Sequence, residues 1–202
     1  MIPQPPRGRY RRCVVLATTA ALALASTAFA QPGNQAPLQV AKPNYVSIHM
    51  ETNVNKPAAE VWKRIGKYCD IGGWGQICCT MVSGKDGEFG AVRSVGNEVL
   101  VGMTELSYTY TQPVREGQIY NMYHGTLEAR PVTATTSKIV YTLTYDNSML
   151  ADDAARQTDM DRRRTQFTRF VDNMKILAEG GTLPPPATKG GAPKGGAPKG
   201  KQ

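Results

Sequence analysis

Histidine and tryptophan are scarce in this sequence, which contains two of each among 202 residues. His49 and His124 are far apart, and the four cysteines include no Cys-x-x-Cys motif. The spacings that recur in zinc sites and in thiol redox centres are therefore missing. In the alternation of their strands both histidines fall among polar residues, so we expect them at the surface. The sequence predicts no metal site, no cofactor and no catalytic residue.

Acidic residues are absent from both ends of the chain. Residues 1–30 contain four arginines, and residues 182–202 contain four lysines. The formal net charge of +8 comes from these segments, because the 24 basic residues fall to 16 between them, equal to the 16 acids. A neutral central region lacks the Lys/Arg-dense surface that binds nucleic-acid backbones. Nucleic acid is therefore not an expected partner.

A long hydrophobic run is also missing. The strongest apolar stretch, residues 14–25, is too short for a membrane span and follows the four arginines. Ala28-Phe29-Ala30 then supplies small residues at the positions that a signal peptidase reads. Residues 1–30 are therefore predicted to be a bacterial export signal that is cleaved near Ala30. The expected location is the periplasm or the outside of the cell.

Two further segments have too few apolar residues to form a core. Residues 31–44 are predicted to be a flexible lead-in, and residues 182–202 a disordered basic tail with Lys-Gly-Gly-Ala-Pro repeats. The tail is interpreted as a solubilising linker, and its alternative role is weak contact with anionic envelope surfaces. Residues 45–181 remain, which is enough for one domain with a single core.

The central region begins with a strand signal. Alternating apolar residues predict a half-buried strand within residues 46–54, and Pro57 then suits the start of a short helix. Residues 66–75 are rich in glycine and read as a loop or a second short helix. Turns separate the β-favouring segments, which are residues 76–82, 91–95, 98–101, 106–112, 119–132 and 138–145. Their close spacing favours antiparallel pairing.

The region ends with a helix signal. Residues 151–179 contain no Gly or Pro and carry apolar residues at helical spacing. The run Arg162-Arg163-Arg164 falls mostly off this stripe, so we expect a solvated face paired with nearby aspartates. The predicted fold class is α+β. About seven antiparallel strands curve around one long C-terminal helix, with two short helices after the first strand.

This succession of elements resembles the SRPBCC superfamily, which has the START-like or helix-grip fold, and in particular its polyketide cyclase/dehydrase-like branch. The matching patterns within residues 45–181 are VNKPAAEVWKRIGKYCDIGGW, GEFGAVRSVGNEVLVG, YTYTQPV, YHGTLEARPV and SKIVYTLTYD. The resemblance implies a deep, mainly apolar cavity between sheet and C-terminal helix, which relatives use to hold lipids, hormones or aromatic polyketides. Because most members share no catalytic residue, binding is expected rather than catalysis.

Aromatic residues are the candidate ligand contacts. Tyrosine combines an apolar ring with a hydroxyl that can orient a ligand. Trp74 lies in GGWG, where relatives have a mouth-covering segment, so it is also a candidate gate. The alternative for each residue is ordinary packing in the core or on the outer sheet. The candidate ligand-binding residues are Trp74, Tyr108, Tyr110, Tyr123, Tyr141 and Phe167.

Two adjacent cysteines lie in a segment that is predicted to be a strand. The side chains of Cys78 and Cys79 are therefore expected on opposite faces, where they cannot hold one metal ion together. In an oxidising compartment one of them is expected to pair with Cys69. The hypothesis is a Cys69–Cys79 disulfide in preference to Cys69–Cys78, with the remaining thiol buried.

Three functional hypotheses follow. The first is an exported protein that binds a small hydrophobic molecule, a lipid or an aromatic metabolite, in a cavity between the sheet and the C-terminal helix. The alternatives are a polyketide cyclase/dehydratase-like enzyme and an envelope protein-interaction module. A buried acid or base facing the cavity would favour the enzyme.

Overall fold

The computed structural model describes residues 42–185. The predicted export signal, most of the lead-in and the repeats of the basic tail lie outside the described residues. Within the described part, none of the helices is both long enough and apolar enough to cross a bilayer.

Residues 42–185 form an α+β fold in which three helices accompany one sheet. The predicted fold class is confirmed, including the two short helices that follow the first strand. The strands are β1 (Tyr45–Val54), β2 (Met81–Ser83), β3 (Val92–Arg93), β4 (Glu98–Thr104), β5 (Ser107–Thr111), β6 (Asn121–Pro131) and β7 (Ser137–Asp146). The helices are α1 (Ala58–Ile65), α2 (Ile71–Trp74) and α3 (Asp153–Ala178).

The seven strands lie in the order β1-β7-β6-β5-β4-β3-β2, and every neighbouring pair is antiparallel. Register shifts interrupt the pairing of β4 with β5 before Gly102 and of β6 with β7 around Met122, whose φ is 51°. Such irregularities bend a strand and increase its local twist. They help the sheet to curve around α3.

Helix α3 begins where the Asp152 side chain accepts a hydrogen bond from the backbone N–H of Ala155 at 2.8 Å. The helix packs against β1, β7 and α1. The expectation of a solvated arginine run is wrong at Arg163, because this residue pairs with Asp159 on the buried side of the helix. The buried residues of α3 are Asp159, Arg163, Phe167, Phe170, Val171 and Met174.

The segment before β2 differs from the prediction. Residues 76–80 form a loop, and the strand begins only at Met81. Gln76 has a φ of 54°, a left-handed conformation that a continuous strand does not allow. Cys79 in this loop is joined to Cys69 by a disulfide. Cys78 is exposed, so the expectation that the remaining thiol is buried is wrong.

Candidate ligand-binding interior

Aromatic rings fill the region between the sheet and α3. All six residues predicted to contact a ligand are buried in this cluster, and none is more than 8% exposed. Four aromatic residues that were not predicted as contacts extend the cluster. We call the whole set the aromatic interior. Its members are Tyr68, Trp74, Tyr108, Tyr110, Tyr120, Tyr123, Tyr141, Tyr145, Phe167 and Phe170.

Strand alternation places several of these rings on one face of the sheet. Tyr108 and Tyr110 share the inner face of β5, and Tyr141 and Tyr145 share that of β7. Gly125 of β6 lies directly opposite Tyr110. A Cβ atom at Gly125 would lie 2.4 Å from the ring and the hydroxyl of Tyr110. The glycine therefore provides the space in which the Tyr110 ring crosses β6.

Trp74 closes the interior on the side of α2. Its ring centroid is 5.5 Å from that of Phe170 and 6.3 Å from that of Tyr141. The Phe167 ring is 5.0 Å from Tyr141, whose hydroxyl is 2.9 Å from the hydroxyl of Tyr110. These contacts join α2, the sheet and α3. A ligand would enter this region only if a side chain such as Trp74 or Phe167 moved aside.

A buried ion pair joins the aromatic interior at the start of β4. Arg93 Nε donates to Glu98 Oε2 at 2.6 Å, and Arg93 Nη1 donates to the backbone carbonyl of Tyr68 at 2.6 Å. The guanidinium carbon lies 4.4 Å from the ring centroid of Tyr68 and 4.7 Å from that of Tyr110, which is cation–π range. Glu98 also accepts a hydrogen bond from Gln112 at 2.9 Å.

Burial dominates the titration of these groups. It raises the pKa of Glu98, and the charge of Arg93 offsets only part of that effect. Burial alone would lower the pKa of Arg93, but Tyr108 and Glu98 raise it above its ordinary value. Burial also raises the pKa of Tyr110 and of Tyr141. Both hydroxyls therefore keep their protons at neutral pH.

A second buried ion pair lies on α3. Asp159 Oδ2 accepts hydrogen bonds from Arg163 Nε at 2.7 Å and from the Tyr145 hydroxyl at 2.9 Å. Asp159 Oδ1 accepts from Arg162 at 2.5 Å. The guanidinium carbon of Arg163 lies 4.5 Å from the ring centroids of Tyr120 and Tyr145. Burial raises the pKa of Asp159, but the hydrogen bonds from Arg163 and Arg162 outweigh it and hold the pKa below its usual range.

Sequence reasoning missed the Arg93–Glu98 pair, and it expected the pairing of Arg163 with a nearby aspartate but on a solvated face. Arg93 lies two residues after Ala91, and Glu98 lies two residues before Leu100, so each shares the inner face of its strand with a buried apolar residue. On α3, Asp159, Arg163 and Phe167 follow one another at intervals of four residues, which puts them on one side of a helix. For Arg163, the charge of the arginine run favoured solvent exposure instead.

The two histidines lie apart from the aromatic interior. The His49 side chain is 51% exposed and contacts Thr142 and Glu51 across the outer face of the sheet. The His124 ring contacts the backbone carbonyl of Met122. Among residues 42–185, no group of three or more His, Cys, Asp or Glu side chains is arranged to hold a metal ion.

An open groove of about 540 Å³ lies between α1 and the C-terminal end of α3. Its walls are Lys56, Glu60, Lys63, Arg64 and residues 177–180. None of the six predicted ligand contacts belongs to it. Small-molecule sites are concave and mainly apolar, whereas this groove is rich in charged side chains. The aromatic interior is therefore the better candidate site.

Comparison with known proteins gives matches among solved structures. No protein-family model matches the chain, and no curated protein matches it. A solution NMR structure from Thermobifida fusca is 21% identical, with 68% of this chain and 97% of that chain covered and a TM-score of 0.56. The ZhuI aromatase/cyclase from Streptomyces sp. R1128 is 15% identical, with 69% and 100% covered and a TM-score of 0.50. These similarities confirm the helix-grip fold that the sequence predicts.

Proposed function

We propose that this protein is an exported binder of a small hydrophobic molecule, a lipid or an aromatic metabolite, held between the sheet and α3. The observation that carries the proposal is the aromatic interior, in which ten rings and several hydroxyl groups from the sheet, the helices and their connections lie together. Ligand sites in proteins combine mainly apolar walls with a few polar groups that fix orientation. The fold is also that of an aromatase/cyclase.

Affinity and orientation come from different atoms of the site. Burial of apolar ligand surface contributes about 25 cal/mol per Å². The hydroxyls of Tyr110 and Tyr141 supply polar contacts in the same region, because burial keeps both protonated. The interior therefore suits a ring-containing molecule that carries few polar groups.

Trp74 is the proposed gate. It lies on α2, which has only four residues, within a glycine-rich segment that we call the gate segment, residues 66–75. Gly73 has open space around the position of a Cβ atom, so nothing packs against it there. The Cys69–Cys79 disulfide ties the chain on both sides of α2. Movement of α2 would uncover the rings behind Trp74 while the disulfide limits how far the segment opens.

Export is the second part of the proposal. The charged and apolar pattern of residues 1–30 supports a cleaved signal, and the Cys69–Cys79 disulfide suits an oxidising compartment such as the periplasm or the outside of the cell. N-terminal sequencing of protein from the periplasmic fraction should give Gln31 as the first residue. The basic tail would contact anionic envelope surfaces weakly. Because the proposed ligand contacts lie between Trp74 and Phe167, deletion of residues 189–202 should leave ligand binding intact.

The test of binding is native mass spectrometry of protein purified from its own cell envelope, followed by organic extraction of any bound molecule. We expect a stoichiometric apolar adduct that is lost in Trp74→Ala and Phe167→Ala. Val132→Ala is the matched control, because it shortens an exposed apolar side chain. An adduct retained equally by all variants would place binding elsewhere. A consistently empty protein would contradict the proposal.

A second candidate function is a cyclase or dehydratase that acts on an aromatic polyketide-like substrate. The buried acid Glu98, whose pKa is raised by burial, bonds to Arg93, and Arg93 Nη1 lies 3.4 Å from the Tyr108 hydroxyl. A raised pKa favours the protonated form of a carboxyl group, and this form can act as a general acid. The extracted ligand would be incubated with wild type and Glu98→Gln. Loss of water from the ligand with wild type alone would support the enzyme.

A further inference from the structure

Both buried carboxylates of the aromatic interior are already engaged. Glu98 accepts from Arg93 and Gln112, and Arg93 Nη2 lies 2.5 Å from the same carboxylate. Asp159 accepts from two arginines and from Tyr145. Within residues 42–185, no buried carboxylate oxygen lacks a hydrogen-bond partner. The interior therefore holds no unused carboxylate that could bind an ammonium group of a ligand.

Two hydrogen-bond donors of the same interior have no acceptor. The indole nitrogen of Trp74 and the hydroxyl of Tyr68 are both buried, and no group of residues 42–185 forms a hydrogen bond with either. The indole N–H can only donate, and the tyrosine hydroxyl both donates and accepts. The aromatic interior therefore has hydrogen-bond donors without acceptors, but no carboxylate without a donor.

The position of these donors links them to ligand entry. Tyr68 and Trp74 both belong to the gate segment. Tyr68 also contributes its backbone carbonyl to Arg93, so the segment is anchored to the buried ion pair. A buried donor without a partner destabilises a protein, because the unfolded chain bonds the same group to water. An acceptor on a bound molecule would remove that penalty and favour the closed position of the segment.

On the basis of the binding function above, we infer that the ligand carries acceptor oxygens, such as carbonyls, on an otherwise apolar ring system, and that Trp74 and Tyr68 each donate to such an oxygen. The buried Arg93–Glu98 pair is neutral, and the additional cation beside Asp159, Arg162, is 58% exposed, so the buried charges favour a neutral ligand over a charged one. An amine is the least suitable group, since an ammonium brings further donors to a site that has no unused carboxylate.

Three probes of one ring skeleton test the inference. α-Tetralone carries a carbonyl, tetralin carries no polar group, and aminotetralin carries an ammonium at neutral pH. Binding of each probe would be measured by isothermal titration calorimetry on protein that is purified from its native host and then freed of its bound ligand. We expect α-tetralone to bind most tightly and aminotetralin most weakly. Each hydrogen bond formed should contribute about fivefold in the dissociation constant.

Variants assign the preference to the two donors. Trp74→Phe removes the indole N–H, and Tyr68→Phe removes a hydroxyl while keeping the ring and the backbone carbonyl that Arg93 uses. At least one of the two changes should lower the preference for α-tetralone over tetralin by about fivefold, and it identifies the donor that the single carbonyl of this probe uses. Trp62→Phe is the matched control, because the partly buried Trp62 ring lies 5.7 Å from that of Tyr108 but its indole nitrogen is not a buried donor without a partner. It should leave the preference unchanged.

The outcomes separate the inference from the binding function on which it rests. Equal affinity of wild type for α-tetralone and tetralin would overturn the inference and leave the binding function standing. An equal loss of both probes in Trp74→Phe and in Tyr68→Phe would also overturn it, because the rings would then act through shape alone. Failure of all three probes to bind would overturn the binding function together with the inference.

Discussion

The aromatic interior holds two buried ion pairs, and the pKa of the carboxyl group is shifted in opposite directions in the two. Glu98 bonds to Arg93 and Gln112, and burial still raises its pKa. Burial raises the pKa of Asp159 as well, but hydrogen bonds from Arg163 and Arg162 outweigh that effect. The difference lies in the number of charged donors around each carboxylate.

The two pairs also differ in their access to solvent. The side chains of Arg93 and Glu98 are 0% and 4% exposed, so the pair is sealed inside the protein. Asp159 has a second cationic partner in Arg162, whose side chain is 58% exposed. The charge of Asp159 is still balanced by the exposed Arg162 when Arg163 is lost. The charge of Glu98 has no second arginine as a hydrogen-bond partner. We therefore expect the sheet pair to be more sensitive to the loss of one partner.

The largest expected effect is that of Arg93→Met. The change leaves Glu98 buried without its cationic partner, and breaking a buried pair in this way costs about 3–5 kcal/mol. Arg163→Met should lower the free energy of unfolding by less, because Asp159 keeps the hydrogen bonds from Arg162 and Tyr145. Urea unfolding of the two variants and wild type measures both effects.

Equal losses in the two arginine variants would contradict the expected difference between the pairs. A double variant tests the origin of the loss. Arg93→Met combined with Glu98→Leu removes both charges, so it should cost less than Arg93→Met alone.

A smaller effect is expected for Gly125→Ala in β6. The new Cβ atom would lie 2.4 Å from the Tyr110 ring, which packs against Arg93, so the ring must move. Overpacking of this kind lowers the free energy of unfolding by about 1–3 kcal/mol. Gly73→Ala is the control, because nothing lies within 4 Å of the added atom and α2 is helical there. Thermal or urea unfolding checks both, and equal stability of the two variants would contradict the close packing.

Two hydroxyl deletions compare one tyrosine beside each ion pair. The Tyr145 hydroxyl donates to Asp159 at 2.9 Å, so Tyr145→Phe should cost about 1.5 kcal/mol. The Tyr68 hydroxyl has no partner within residues 42–185, so Tyr68→Phe should leave the stability of the ligand-free protein unchanged or slightly raised. Urea unfolding without ligand measures both. A clear loss in Tyr68→Phe would show that its hydroxyl has an acceptor.

The smallest expected effect is a pH dependence. Because the folded-state pKa of Asp159 lies below its value in the unfolded chain, about 3.9, its stabilisation is present above that pH and is lost as the pH falls through the folded-state pKa. Glu98 has the opposite sign. Its folded-state pKa is raised, so stability falls as the pH rises from the unfolded value, about 4.3, to the raised value.

Unfolding free energies measured between about pH 2 and pH 7 check these signs. Asp159→Asn should show a shallower fall in stability below about pH 4 than wild type, and Glu98→Gln should lose the decline above about pH 4.3. A steeper acid loss in Asp159→Asn would contradict the lowered pKa of Asp159.

Strand alternation and helical spacing predicted much of the interior. The inner faces of β5 and β7 carry Tyr108, Tyr110 and Tyr141 because a period of two residues is a local property of an extended chain. The loop at residues 76–80 was not predicted, since the positive φ of Gln76 goes against the β-favouring composition around it. The burial of Arg163 was missed because its charge suggested solvent, whereas Asp159 one helical turn earlier compensates it.

Local patterns in the sequence predicted the α+β class, the antiparallel pairing of short strands, the long C-terminal helix and six of the ten rings of the aromatic interior. Which polar groups inside the protein have partners depends on its tertiary structure. The contact of Arg93 with the Tyr68 carbonyl joins residues 25 positions apart, and the Tyr145 hydroxyl reaches Asp159 across the boundary between sheet and helix. Such pairings depend on three-dimensional packing, which no local pattern specifies.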